Sequence, residues 1–139
     1  MWMNESMAGR ITKLLCMGLF ITGAFLTPAT YANSADFKTG YRAYQRGDFA
    51  AAAKEWLALA EAGNTKAQYN VGILFDQGKG VQQDRAEAVS WWRRSAESGF
   101  RMAQHNLANA YIAGDGVEQS YKDAVHWLQR ASEAGLNRS

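Results

Sequence analysis

The feature that most constrains this chain is an internal repeat of 36 residues. The segment GKGVQQDRAEAVSWW, which begins at Gly78, recurs as GDGVEQSYKDAVHWL at Gly114, and residues 64–99 share 13 of 36 positions with residues 100–135. A more degenerate copy with a loop four residues shorter occupies residues 33–63. Because one short repeat cannot bury its own apolar face, three units predict a stack in which neighbours share a continuous core.

Each unit predicts two helices. Small and apolar residues recur from Ala88 at i, i+3/i+4 and i+7/i+8, which is the spacing of one helical face. Asp84 and Glu87 have the spacing of a capping box, and the first helices are expected at about residues 65–77 and 102–113. A structural role is expected for two equivalent sets of repeat residues, which are Gly72, Gly78, Gly80, Val81, Ala88, Trp91 and Gly99, and Ala108, Gly114, Gly116, Val117, Ala124, Trp127 and Gly135.

The tryptophans of the repeats are expected to pack between helix pairs. Trp56, Trp91, Trp92 and Trp127 hold equivalent or adjacent repeat positions, and such large side chains dominate the energetics of a core. Trp91 and Trp92 are adjacent in sequence and so point about 100° apart on a helix. One of these two is therefore expected to line a surface.

The glycines Gly78 and Gly80 could cradle a phosphate or form a turn. A dinucleotide fingerprint needs a preceding strand and a third glycine, and a Walker A loop needs GK followed by Ser or Thr. Here a helix is predicted before Gly78, no third glycine follows, and Val81 occupies the loop. The pattern therefore favours a helix-to-helix turn with positive φ at the glycines and the valine in the core.

The N-terminal segment 1–32 has the pattern of a signal peptide. Arg10 and Lys13 precede an apolar run, residues 14–26, and small residues lead to a cleavage site at Ala32. We therefore expect a periplasmic or secreted protein without a stable membrane span after cleavage. An uncleaved anchor is the alternative, although the run is shorter than the roughly 20 apolar residues of a spanning helix. Met7 is an alternative start.

Residues 33–139 contain no cysteine or proline, because Cys16 and Pro28 are the only ones in the chain. Core packing or a partner must therefore replace disulfides in stabilising an exported protein. The whole chain carries a net charge of +2, and a balance of positive and negative residues persists after removal of the first 32. Such a surface lacks the basic footprint of a nucleic-acid-binding protein.

The spacing from Ala67 to Gly99, repeated from Ala103 to Gly135, resembles the Sel1-like repeat, and the segment from Gly40 resembles a tetratricopeptide unit. The resemblance implies an all-α protein, an α/α solenoid of three antiparallel helix pairs in a right-handed superhelix, with residues 136–139 as a tail. It also implies a non-catalytic adaptor or scaffold that uses no cofactor and binds a protein or an extended peptide.

The resemblance to tetratricopeptide proteins places the binding residues on the first helix of each pair. Carried over position by position, they are Phe37, Tyr41 and Tyr44, then Tyr69, Ile73 and Asp76, then His105, Asn109 and Ile112. Aromatics provide rigid contact area and amides bond peptide backbone. Alternatively, several of these aromatics only fill a junction between helices. No capping helix is evident beyond Trp127, Leu128 and Ala131, so either a partner or a second copy covers that end or the helix surface there is locally polar.

Two alternatives to protein binding remain at this point. One is a hydrolase acting on cell-wall or β-lactam substrates, as the resemblance allows; residues 38–40 spell KTG, but S-x-x-K and S-D-N are absent. The other is a glycan- or peptidoglycan-binding envelope protein. His105 and His126 lie on different predicted helices without metal-ligand spacing, so no metal site is expected.

Overall fold

The computed structural model describes residues 35–136 of the chain. In this part there are six helices and no strand: α1 (Phe37–Gln45), α2 (Phe49–Glu61), α3 (Thr65–Gln77), α4 (Arg85–Glu97), α5 (Arg101–Ala113) and α6 (Tyr121–Leu136). Each helix packs chiefly against its neighbours in the chain, as expected for a solenoid. The predicted all-α solenoid of three helix pairs is confirmed. The expected signal peptide, residues 1–32, lies outside the described residues.

Side-chain caps begin most of the helices. The side chains of Asp48, Asn64 and Asp84 each accept a hydrogen bond from the N–H three residues later, over 3.1, 2.9 and 3.0 Å. At the start of α6, the Asp123 N–H donates to Ser120 Oγ over 3.3 Å, and the hydroxyl donates back to the Asp123 carboxylate over 2.5 Å. These contacts satisfy N–H groups that have no partner within the helix.

A glycine and a tryptophan lock together the two helices of each of the first two pairs. A Cβ atom on Gly72 would overlap the indole of Trp92, and one on Gly40 would overlap the indole of Trp56. The indole N–H of Trp92 donates to the Tyr69 carbonyl over 3.3 Å. The missing Cβ of glycine is therefore what allows the aromatic ring to lie directly on the first helix.

In the third helix pair, different residues occupy the repeat positions of this glycine and this tryptophan. Ala108 takes the place of Gly72 and is fully buried, and Leu128 takes the place of Trp92 and is partly buried. The extra methyl group on one helix is thus accompanied by a smaller side chain on the other. The smaller leucine avoids the overlap that the methyl group would make with an indole.

The glycine turns have the backbone that the sequence predicts. Gly78, Gly80, Gly114 and Gly116 have φ values of +64°, +71°, +67° and +72°. Val81 packs against the core of the first two units and Val117 against the core of the last two. Gln83 donates to the Asp76 carbonyl over 2.7 Å, a bond that holds the turn against the end of α3.

These turns also connect successive units. A Cβ on Gly80 would overlap the Phe49 carbonyl at the start of α2, and a Cβ on Gly116 would overlap the Arg85 carbonyl at the start of α4. Each turn therefore lies directly on the second helix of the unit before it. This close approach of the turn to the helix explains why glycine occupies the position in both turns.

The residue between the two glycines contacts the same neighbouring helix, but by different chemistry in the two turns. Lys79 Nζ lies 5.0 Å from the ring centroid of Phe49, within cation–π range. Asp115 Oδ2 lies 2.6 Å from Arg85 Nη1, an ion pair. Phe49 and Arg85 are equivalent repeat positions, so each junction has its own matched pair of residues.

The expectation that Trp91 or Trp92 lines a surface is wrong. Their exposed fractions are 6% and 8%, because Trp91 belongs to the core of the first two units and Trp92 to the core of the last two. Two adjacent side chains pointing apart thus serve two different cores. Packing is confirmed for Trp56 and Trp127 as well, since both are buried.

The last helix differs in part from expectation. Trp127 and Ala131 are buried, so the uncovered apolar side chains of α6 are instead Tyr121, Val125 and Leu136. Gly135 lies within α6, unlike Gly99, which has a φ of +87° just after α4. None of the helices in residues 35–136 is long and apolar enough to cross a membrane.

Candidate functional site

The nine predicted binding residues all lie on the first helices, but they differ in exposure. Tyr41, His105, Asn109 and Ile112 are exposed, whereas Phe37, Tyr44, Tyr69, Ile73 and Asp76 are partly buried. We call the surface formed by α1, α3 and α5 the groove. Only the exposed residues and the outer atoms of the others are free to contact a ligand.

In the first unit, two of the three aromatics mainly support the core. The Phe37 ring stacks on Trp56 at 5.7 Å, and Tyr44 packs against Trp56 at 5.6 Å and against Phe49 at 5.1 Å. Tyr41 is 50% exposed and remains the most accessible aromatic of this unit. The alternative that these rings fill a helix junction therefore holds for Phe37 and Tyr44.

Two lysines accompany these aromatic rings. Lys66 Nζ lies 4.6 Å from the ring centroid of Phe37, and Lys79 Nζ donates to the Tyr44 hydroxyl over 3.3 Å. Ammonium groups above aromatic faces are attracted by the ring quadrupole. The end of the groove at the first unit is therefore aromatic and positively charged.

A cavity of about 440 Å³ lies between α3 and α5, and we call it the first cavity. It brings together four of the predicted residues, Tyr69, Ile73, Asp76 and Asn109. Further side chains that line it are Gln77, Arg85, Trp92, Asn106 and Asp115. An apolar floor with a few convergent polar groups is the usual composition of a ligand site.

Charged groups meet at one end of the first cavity. The guanidinium of Arg85 reaches two carboxylates through Nη1, Asp76 over 3.0 Å and Asp115 over 2.6 Å. Asp76 comes from the last turn of α3, Arg85 begins α4 and Asp115 lies in the following glycine turn. Three elements thus place one cation between two anions at the rim.

Tyr69 forms the opposite wall of the first cavity. Its ring packs against Phe100 at a centroid distance of 5.1 Å, and the Asn106 side chain hydrogen-bonds to its hydroxyl. Burial raises the pKa of the Tyr69 phenol, an effect only partly opposed by the Asn106 bond. The phenol is therefore neutral at physiological pH and available as both donor and acceptor.

A second cavity of about 460 Å³ adjoins the first, and we call it the second cavity. Tyr69 and Asn106 line both cavities. The other lining residues of the second cavity are Arg101, Met102, His105, Leu128, Ala131 and Ser132, which belong to α5 and α6. The predicted groove residue His105 is therefore close to a cavity, whereas Ile112 and the three residues of the first unit line neither.

The residues that the sequence offered for catalysis or metal binding lie on α1, α5 and α6. Residues 38–40 lie in α1, where the Thr39 hydroxyl donates to Asp36 over 3.2 Å and Gly40 packs against Trp56. His105 lies on α5, and His126 is exposed on α6 with its ring 5.3 Å from that of Trp127. Residues 35–136 contain no cluster of three or more His, Cys, Asp or Glu side chains suited to a metal ion.

Several cavity residues were not among the predicted binding positions. Asn106 holds the same repeat position as Asn70, a signal of structural repetition and not of binding, and Arg85 and Asp115 approach each other across 30 residues of sequence. The predicted groove positions all lie on the first helix of a unit, whereas Asp115 lies in a turn and Arg85 on a second helix.

Comparison with known proteins gives matches of family and of fold. Residues 65–100 and 101–136 match the family model of the Sel1 repeat, while the curated proteins give no match. The chain is similar to a Sel1 repeat protein from Oxalobacter formigenes, with 29% identity and a TM-score of 0.66 over 97% of this chain and 57% of that one.

The chain is also similar to c5321, a protective antigen of uropathogenic Escherichia coli strains with an SLR fold. The identity is 33% and the TM-score 0.66, over 78% of this chain and 23% of the antigen. The chain thus spans little more than half of the first solved neighbour and under a quarter of the second.

Proposed function

Because this chain belongs to the Sel1 repeat family, we propose that it is a non-catalytic adaptor of the bacterial cell envelope that binds an extended peptide segment of another protein in its groove. Sel1 repeats typically mediate protein–protein interaction and are generally scaffolds without catalytic activity. The solved neighbours are bacterial proteins of the same fold.

The first cavity is the observation that supports the proposal most directly. It presents the amides of Asn106 and Asn109 and the hydroxyl of Tyr69 beside the apolar side chain of Ile73. An extended peptide offers unpaired backbone N–H and C=O groups every few ångströms, and side-chain amides can pair with both. Apolar surface next to these amides can receive the side chains of the peptide.

The shape of the groove also favours a segment over a folded domain. Two adjoining open cavities share the wall formed by Tyr69 and Asn106. A single extended chain can enter both in succession, whereas a flat protein surface would leave them empty. Filling such cavities with anchor side chains is how most interfaces gain their affinity.

The groove proposal is tested by panning a random nonapeptide library on the purified full chain, with affinities of the selected peptides measured by calorimetry. The variant Tyr41→Ala with Asn109→Ala should weaken the selected peptides about tenfold or more, because exposed aromatic and amide contacts are lost. Tyr121→Ala with Gln129→Ala is the matched control, since it removes an exposed tyrosine and an amide from α6.

The two variants separate the outcomes. Equal loss of affinity in both would place binding outside the groove, and a library without any enriched peptide would refute peptide binding. In the latter case, retention on purified peptidoglycan would support the glycan-binding alternative. Circular dichroism should show unchanged helicity in both variants, because all four side chains are exposed.

The envelope location is proposed from the signal-peptide pattern at the N-terminus. Expression of the full chain in a Gram-negative host, followed by N-terminal sequencing of periplasmic protein, should give a chain beginning at Asn33. A chain that keeps Met1 or Met7 and stays in the membrane fraction would support the uncleaved anchor instead. Recovery from the cytoplasm would contradict both.

A further inference from the structure

The two cavities of the groove carry opposite charge. The first contains the carboxylates of Asp76 and Asp115 and a single guanidinium, that of Arg85, so its lining has a formal charge of −1. The second contains the guanidinium of Arg101, and no carboxylate lines it among the described residues. The neutral pair Tyr69 and Asn106 separates them.

We propose that the groove selects a peptide segment with a cationic side chain for the first cavity and, a few residues away, a carboxylate for the second. This inference rests on the proposed function, because it specifies the peptide that the groove binds. It follows from complementarity of charge, which contributes more to specificity than to affinity.

The carboxylates of Asp76 and Asp115 lie together at one end of the first cavity, where they can bind a cation. Arg85 Nη1 contacts both Asp76 and Asp115, which shows that a guanidinium fits between them. The side chain of Arg85 is 48% exposed, and ion pairs at such sites contribute little to stability. A lysine or arginine of the ligand can therefore share or take over these carboxylates, with Arg85 as an internal competitor.

The second cavity is suited to a carboxylate above an apolar floor. Arg101 presents a planar fork of donors, which matches a carboxylate in a bidentate arrangement. Its Nη1 lies against the backbone of Gly135, 3.2 Å from where a Cβ would be, so the side chain extends from α5 towards α6. Met102, Leu128 and Ala131 form the apolar lining.

The second cavity results from a difference in sequence between the third unit and the first two. Trp56 and Trp92 fill the corresponding position of the first two units with an indole, whereas Leu128 is smaller. The shorter side chain leaves room between α5 and α6. The cavity is therefore a property of this chain's third unit and not of every unit in the array.

The helix geometry sets the distance between the two charges of the ligand. Asp76 lies seven residues after Tyr69 on α3, which corresponds to about 10 Å along the helix. An extended peptide covers this distance with about three residues. Arg101 holds the repeat position of Thr65, which precedes Tyr69 by about one helical turn, so a spacing of about four residues is expected between the cation and the carboxylate.

The test uses three fluorescein-labelled, end-blocked nonapeptides with the same alanine–asparagine backbone. One has Lys and Glu four positions apart, one has Lys at both places, and one has Glu at both. Fluorescence anisotropy with the full chain at 50 mM salt should show the mixed peptide binding about fivefold tighter than each of the others. At 500 mM salt the difference should shrink, because exposed charges are screened.

Variants assign each preference to its own cavity. Asp76→Asn with Asp115→Asn should remove the preference for Lys and keep that for Glu, and Arg101→Gln should do the reverse. Arg85→Gln should strengthen binding of the mixed peptide, since it removes the internal competitor. A purely structural role of Arg85 predicts the opposite sign. Glu97→Gln and Arg46→Gln are exposed controls outside both cavities and should change nothing.

The outcomes distinguish this inference from the function on which it rests. If no peptide binds here and the random library is not enriched either, the groove does not bind peptides and both proposals fail. If all three peptides bind with equal affinity, the groove binds peptides but the charge selection is refuted. Weaker binding in Arg85→Gln would overturn the part of the inference that treats Arg85 as a competitor.

Discussion

Single residues decide how closely the two helices of a pair approach. Gly72 has no Cβ because the Trp92 indole occupies that space, and in the third unit Ala108 faces the smaller Leu128. The two positions therefore vary together within one chain. We therefore expect substitutions at the positions of Gly72 and Trp92 to have non-additive effects on the free energy of unfolding.

We expect Gly72→Ala to destabilise the protein by about 1–3 kcal/mol through overlap with the indole, even though alanine favours a helix. Adding Trp92→Leu should then cost less than it does in the wild type, because the pair now copies Ala108 and Leu128. A double-mutant cycle from urea denaturation measures this coupling. Strictly additive free energies would show that the two positions are independent.

Helix caps and glycine turns can be predicted from the sequence, because they depend on residues that are close together in the chain. The repeated glycines and Asp84, Ser120 and Asp123 act within a few residues of chain, so spacing alone indicates their caps and turns. The depth of burial of Trp91 was not predictable in this way. It depends on which neighbouring unit covers that side of the helix.

At the scale of elements, the glycine turn is as important to the junction as the helices are. Gly47 and Gly80 both have positive φ, at +79° and +71°. A Cβ on Gly47 would meet nothing within 4 Å, whereas a Cβ on Gly80 would overlap the backbone at the start of α2. Comparison of the two positions therefore separates the free-energy cost of the left-handed backbone from the cost of steric overlap.

Gly47→Ala should cost about 1–2 kcal/mol, since only the left-handed conformation is disfavoured. Gly80→Ala should cost clearly more, because the turn must also move away from α2 and open the junction between the first two units. Thermal unfolding of the two variants under identical conditions measures the difference. Equal melting temperatures would contradict the close approach of the turn to α2.

The helices themselves were largely predictable, and the contacts between units were not. The expected limits of α3 and α5 lie within one residue of those observed, because the apolar period and the flanking turn residues are local signals. The bond of Arg85 to Asp115 spans 30 residues. Its existence depends on the angle between units, so the sequence does not predict that Arg85 and Asp115 meet at the first cavity.

For the whole molecule, the solenoid makes burial depend on position in the stack. Val89 and Val125 occupy the same repeat position, but Val89 is 4% exposed and Val125 is 53% exposed. Val89 belongs to the core shared by the last two units. Identical side chains at identical repeat positions therefore differ in what they contribute to stability.

Val89→Ala should lower the free energy of unfolding by about 1–3 kcal/mol, as expected for a cavity in a packed core. Val125→Ala should change it by less than about 0.5 kcal/mol, the range for exposed sites. Urea denaturation at low protein concentration measures both. A loss of similar size at Val125 that grows with protein concentration would show that a second copy, and not another partner, covers α6.

The matched pairs at the junctions bear on how an array of this kind can lengthen by tandem duplication. A copy of the second unit placed after itself would bring its Lys79 to Arg85, two positive charges in the place of Asp115 and Arg85. A copy of the third unit would bring Asp115 to Tyr121, which stands at the repeat position of Arg85 and is neutral. The charges at the junction thus favour duplication of the third unit over duplication of the second.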